Sequence, residues 1–346
     1  MQIKTIVNTS NYSITGNSFN LEINESGIMV SIKTLSNIIQ LSNYDKIKTV
    51  VEYFPFLKND LNIKTAINFS VILGKEKSKE YFDYIKEKIL LGASLFSDYH
   101  LKYFLERKKC YQNLSQVAFE NKILETPVYH HISTTGRTSI KSGHNFLTMK
   151  KTDRIKLKPV NNDDVLIEMD FKSCEPFFYL ISQNILKEEV KDIYTWIANK
   201  INIKIKNRDK FKRGVLSIIY GASDSTVKSI SQISKKDIAK IKSIMVIDDF
   251  KSKLELEYEA NGFIRNYYGR PIKSNANIVN YWIQSSAADF CSLAFNKFRE
   301  DTGARTCFLI HDSITFLSSI KDKEVFLDID FLEYENVQIP VKSNLY

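Results

Sequence analysis

The sequence predicts an α+β protein, and three observations carry that reading. The apolar run Val165-Leu166-Ile167-Glu168-Met169-Asp170 reads as a buried strand ending in a carboxylate. Thr306–Ile310 and Ile314–Leu317 are β-leaning runs around a turn at His311-Asp312-Ser313. Between and before them, long stretches carry apolar residues at helical spacing. Composition agrees: of 346 residues 43% are hydrophobic and 26% charged, which excludes a mostly disordered chain. The length allows roughly two domains. With 11 Gly and 6 Pro, collagen-like and Pro/Gly-rich low-complexity classes are excluded.

Each element follows in order. Residues 1–60 mix short β-leaning runs (Ile3–Val7, Ile28–Ile32) with turns such as Asn24-Glu25-Ser26-Gly27. Tyr81–Leu91 carries a helical stripe, and a second passes through Leu101, Tyr103, Phe104 and Leu105 into the basic patch Arg107-Lys108-Lys109. His130–Lys150 has no clear periodicity. After the Val165–Asp170 strand, Pro176 suits the first turn of a helix continuing through Phe177–Ile185. Arg208–Tyr220 reads as a helix capped by Asn207. Lys235–Ile247, capped by Ser234, and Asp249–Ala260 are further helices. Tyr267-Tyr268-Gly269-Arg270-Pro271 is a turn, and Val279–Phe298 a long helix.

The charge balance, 49 Lys and Arg against 40 Asp and Glu, gives +9 and hints at a polyanionic partner. Apolar runs such as Ile67–Leu73 are too short to span a bilayer. The N-terminal residues lack a signal-peptide pattern. These features predict a soluble, intracellular protein that does not engage membranes. Cys110, Cys174, Cys291 and Cys307 include no Cys-x-x-Cys pair and read as free thiols rather than a zinc site.

Two aspartates stand out by context. Asp170 ends an apolar strand and Asp312 sits at the turn of an apolar hairpin. Taken singly, each reads as a solvated turn residue. Converging in one cleft, they would make a hard-oxygen site for Mg²⁺, and a pair of such ions suits phosphoryl transfer. On the predicted helix, Arg208, Lys212, Leu216 and Tyr220 recur every four residues and form one row. That row suits a triphosphate with a base stacked at its far end. On a bare helix it equally describes a solvated basic face ending in a core tyrosine.

With these residues in place, the chain resembles the family A (DNA polymerase I-like) nucleotidyltransferases. Thr134-Thr135-Gly136-Arg137 is similar to the family's T-x-x-G-R segment, and Asp170-Phe171-Lys172-Ser173-Cys174-Glu175 to motif A. Arg208-x3-Lys212-x7-Tyr220-Gly221 is similar to motif B, and the run from Asn280 through Gln284 to Asp289 to the N-x-P-I-Q-G-S-A-A-D helix. His311-Asp312 resembles motif C, and Val337–Val341 the last palm strand. The motifs occur in family order from about residue 100 onward.

The resemblance implies an α+β right-hand polymerase with an antiparallel-sheet palm, helical fingers and a reduced helical thumb. The palm would combine 131–185 with 271–346, the fingers 186–270 and the thumb 81–130, with residues 1–80 a module of unknown role. Asp170 and Asp312 would be catalytic and hold two Mg²⁺, for which Mn²⁺ could substitute. Arg208, Lys212, Leu216, Tyr220, Gly221 and Glu175 would bind the incoming nucleotide. Arg137, Asn280, Gln284, His311 and, more weakly, Arg270 would contact primer or template. The partners implied are primed DNA and dNTPs, with a tethering (processivity or replisome) partner because so small a thumb grips duplex poorly. A monomer in the cytoplasm of a bacterium or phage-infected host is expected; the Ile/Lys/Asn-heavy composition suggests an AT-rich genome, and a compact polymerase without proofreading would suit a phage or other mobile element.

The sequence also departs from the family. Ser313 follows His311-Asp312 where DNA polymerases usually have Glu, and Leu216 replaces an aromatic. Both resemble the single-subunit phage RNA polymerases. Glu175, however, is the bulky carboxylate that in the family's DNA polymerases packs where a ribose 2′-hydroxyl would go. The expectation is therefore DNA synthesis. An RNA-synthesising primase or small RNA polymerase is the rival, and a non-catalytic nucleic-acid-binding relative a third reading. Residues 1–80 contain no D-x-E motif, so no proofreading exonuclease is expected.

Overall fold

The structure, a computed structural model, describes residues 12–15, 20–24, 27–30, 98–130, 133–272 and 277–346. The run Ile3–Val7 and the helix expected at Tyr81–Leu91 lie outside the described residues, as does the first part, 81–97, of the expected thumb. The chain divides into two compact units, 1–101 and 102–346. In the first, strands Tyr12–Thr15, Asn20–Asn24 and Gly27–Val30 form an antiparallel sheet in sequence order, with Asn24 opposite Gly27.

The second unit is built on a five-stranded sheet. Asp164–Phe171 lies at its centre. On one side it pairs with Ser313–Ser319 and, beyond that, Arg305–Ile310. On the other it pairs with Val337–Leu345 and then Phe331–Tyr334. Every pairing is antiparallel, as expected of the strand and hairpin read from the sequence. Side chains alternate across a pleated strand, and the burial follows that rule. Ile167, Met169 and Phe171 enter the main core, where Phe171 meets Phe290 and Phe295 of the Ile278–Thr302 helix at ring distances of 5.3 and 4.9 Å. Leu166 enters a smaller core on the opposite face with Phe308, Leu317, Val117, Phe146 and Leu157. Asp170, Glu168 and Leu166 therefore share one face of the sheet. Ser313, Thr315 and Leu317 stand opposite them in register.

Residues 193–261 form a helical layer. Asn207 caps the Arg208–Ile219 helix by accepting from the Lys210 amide at 2.9 Å, and Ser234 caps Lys235–Met245 by accepting from Asp237 at 3.1 Å. Each such cap stabilises by about 1 kcal/mol. A Cβ on Gly214 would overlap Ser231 and Ile233, so glycine lets the following helix and loop pack against the Arg208–Ile219 helix.

Three expected boundaries shift. The helix read as Phe177–Ile185 spans Cys174–Ser182, entered through Ser173 in the left-handed region at φ +54°. The helix expected to reach Ile247 stops at Met245, because Val246 adopts φ +52° and a new helix runs Ile247–Asn261. The stretch 130–150, read as irregular, contributes to an antiparallel pair, Val128–His130 with Ser139–Ser142.

Candidate active site

Sheet register brings the two singled-out aspartates together. Asp170 pairs with Ser313, so the preceding turn carries Asp312 to the end of the neighbouring strand. The Phe171 amide donates to the Asp312 carbonyl at 3.0 Å and ties the two strand ends. His311, the other turn residue, sits at φ +51°, a region His tolerates better than most side chains.

Both carboxylates reach solvent, yet the surrounding protein crowds them. Partial burial, then the charges of Asp312 and Glu168, push Asp170 up to about 7, against the opposing pull of Lys151 and Arg154. Burial also raises Asp312, opposed by a backbone hydrogen bond, by His311 and by the cations Arg137 and Lys212. A divalent cation between such carboxylates would relieve the repulsion that raises Asp170. Among the described residues, no cluster of three or more His, Cys, Asp or Glu could hold a metal by itself. Two carboxylates completed by water and substrate phosphates is the manner in which Mg²⁺ commonly binds, so the residues present fit that ion.

Glu175, in the first turn of the Cys174–Ser182 helix, accepts from the Tyr220 hydroxyl and from Arg137. Its carboxyl is raised by burial, with Arg137 opposing. A cavity beside it is lined by Arg137, Glu175, Gln284, His311 and Asp312, together with Arg107, Thr138 and Cys291. The His311 imidazole is lowered there by burial and by Arg137. The Cys174 and Cys291 sulfurs lie 3.3 Å apart as free thiols, both raised by burial.

The expected triphosphate cations share a floor. Arg208 and Lys212 lie over the buried Tyr194 ring, 5.5 and 5.8 Å from its centre. Arg208 also donates to Asp192 through Nε at 3.2 Å and Nη2 at 3.0 Å. Leu216 is half-buried on the same helix, Tyr220 caps its end, and the exposed Gly221 follows at φ +75°. Among the described residues, the buried side-chain oxygen of Asn280 has no hydrogen-bond partner.

Arg270 is placed differently from the other expected nucleic-acid contacts. It is buried at 5% exposure, and its guanidinium pairs with Asp289. Arg107, the first residue of the basic patch Arg107-Lys108-Lys109, is 1% exposed and pairs with the same carboxylate at 3.1 Å. Asp192, Tyr194 and Glu168 were not singled out as site residues. Only Asp192 left a sequence signal, as the N-cap of the Ile193–Lys200 helix.

No family model matches the chain, and no curated protein matches it in sequence. Among solved structures it is similar to the POL domain of Pol1 from M. smegmatis, solved with DNA primer-template and dNTP. The identity is 13% and the TM-score 0.48, over 92% of this chain and 66% of that one. Among the described residues no helix is long and apolar enough to cross a membrane.

Proposed function

We propose that this chain is a template-directed DNA polymerase that adds dNTPs to a primer 3′-hydroxyl by two-metal phosphoryl transfer. The observation that carries the reading is the convergence of Asp170 and Asp312 on adjacent strand ends, with Lys212 close enough to Asp312 to act on its carboxyl.

In this reading Asp170 and Asp312 hold Mg²⁺, with Mn²⁺ able to substitute. The ions would supply Lewis acidity at the α-phosphate and a lowered pKa for the primer hydroxyl. Arg208 and Lys212 take the triphosphate and offset charge on the departing pyrophosphate. Arg208 exchanges its Asp192 contact for phosphate as the nucleotide enters. Glu175, held by Arg137 and Tyr220, fills the space a ribose 2′-hydroxyl would need. Tyr220 and Gly221 border the new base pair. Arg137, Asn280, Gln284 and His311 face primer and template.

Extension of a labelled DNA primer on a DNA template, comparing dNTPs with NTPs and including a lane without primer, tests the reading. Product from dNTPs alone supports it. Product from NTPs, or without primer, favours an RNA-synthesising enzyme, the reading to which Ser313 opposite Asp170 lends weight. No product in any lane, with primed DNA still bound, favours a binding protein.

A further inference from the structure

Asp289 is 2% exposed in the Ile278–Thr302 helix, and its carboxylate is a meeting point of donors. It accepts from Asn266 Nδ2 at 2.7 Å and from Arg270 Nε at 2.9 Å and Nη2, and it pairs with Arg107 Nη1 at 3.1 Å. One carboxylate thus holds two buried guanidinium groups, which would be costly to leave uncompensated.

Both arginines lead to one glycine. Arg107 Nη2 donates to the Gly136 carbonyl. The Arg270 guanidinium fills the space a Cβ on residue 136 would take, and Gly136 adopts φ +70°. The glycine belongs to a tight turn: its amide donates to the Ser133 carbonyl at 2.9 Å, and Ser133 Oγ donates to the Arg137 carbonyl at 2.6 Å. Arg137, the next residue, reaches Glu175. Moving Gly136 therefore moves Arg137.

We propose that Asp289 is the positioning residue of the sugar gate: by clamping Arg107 and Arg270 beneath Gly136 it fixes the turn from which Arg137 holds Glu175. The gating role rests on the polymerase reading; the positioning of Arg137 does not. Asp289 does not line the cavity and acts through the arginines.

The test uses Asp289→Asn and Gly136→Ala in the full chain. The first removes the charge, and the second presses on Arg270 while leaving every charge in place. Three readouts are compared: thermal unfolding, the ratio of kcat/KM for dNTP over NTP, and the carboxyl ¹³C resonance of Glu175 in the free protein. At least a tenfold fall in dNTP preference, with dNTPs still incorporated and the Glu175 resonance shifted, is expected. A merely structural role would lower the melting temperature and leave the preference unchanged. A folded variant with wild-type preference and an unmoved Glu175 resonance overturns the proposal. If Asp289→Asn does not fold, Gly136→Ala decides alone. If the wild type makes no product, the polymerase reading has failed separately. The Glu175 resonance then decides whether Arg137 is positioned by Asp289, with no shift in the variants counting against it.

Discussion

The Tyr220 hydroxyl donates to the Glu175 carboxylate, joining the end of the Arg208–Ile219 helix to the first turn of Cys174–Ser182. If Glu175 is the sugar gate of the proposed polymerase, a gate held from two helices moves when either helix moves. Replacing the carboxylate removes the obstruction: Glu175→Gly is expected to raise NTP incorporation about ten- to a hundredfold, with dNTP incorporation falling less. Tyr220→Phe removes one donor and should give a smaller change in the same direction. Single-nucleotide insertion with matched dNTP and NTP measures both, and unchanged sugar preference in Glu175→Gly would place the gate elsewhere.

Under the proposed mechanism, Asp170→Asn and Asp312→Asn should each reduce extension by about a thousandfold or more, since each would remove a charge that holds the ions in the transition state. Both variants should retain the wild-type circular dichroism spectrum. Extension at near wild-type rate by either one would refute the metal assignment.

The raised Asp170 carboxyl has a signed consequence for stability. Its folded value is about 7 against an ordinary value of 3.8, so the folded protein keeps a proton that the unfolded chain has lost. This group's contribution is therefore greatest at the acid end and is lost as pH climbs through about 7. Calorimetry of the metal-free protein should show that Asp170→Asn raises the melting temperature relative to wild type more at pH 8 than at pH 5. Added Mg²⁺ should stabilise the wild type at pH 8 more than at pH 5, and should lose most of that effect in Asp170→Asn. Equal Mg²⁺ responses in the two proteins would argue against binding at this carboxylate.

In the proposed complex, Arg208→Ala and Lys212→Ala would each delete a charged contact to the triphosphate, of the kind that contributes about 1.5–3 kcal/mol. The expected rise in KM for dNTP is about ten- to a hundredfold for either. Affinity for primed DNA in the absence of nucleotide should stay within about twofold. Titration of both ligands distinguishes this from general misfolding, in which the two affinities fall together.

Duplex grip by basic side chains should be salt-sensitive. About five phosphate contacts cost on the order of a hundredfold or more in affinity between 50 and 200 mM salt. Fluorescence anisotropy of labelled primed DNA checks the slope. Long products made in the presence of excess competitor DNA would contradict the weak unaided grip expected here.

The parts legible in the sequence are those governed by local rules. Asp170 ends a strand whose apolar pattern is plain, and Asn207 and Ser234 precede helices and cap them as their side chains dictate. Short elements left too little periodicity to read, among them Val117–Phe119 and the Ile193–Lys200 helix. The burial of Arg107 and Arg270 is not legible for a different reason. Arg107 stands in the basic run Arg107-Lys108-Lys109 and Arg270 in the turn Tyr267-Tyr268-Gly269-Arg270-Pro271, and neither run shows that both side chains pair with the buried Asp289, distant in sequence from Arg107. The network around Glu175 was half legible. Its members were each singled out, but that Arg137 and Tyr220 both bond to it follows from tertiary placement alone.

The register of the central sheet also sets a timetable. Asp164–Phe171 pairs with Ser313–Ser319 on one side and Val337–Leu345 on the other, both roughly 140 residues or more downstream. During synthesis at about 5–20 residues per second, the strand bearing Asp170 waits on the order of ten seconds for its first neighbour in this sheet. Until then it presents unpaired backbone and an apolar face, the state in which a nascent chain is open to misassociation. Ribosome-bound intermediates stalled before residue 313 should accordingly be the forms most dependent on chaperones.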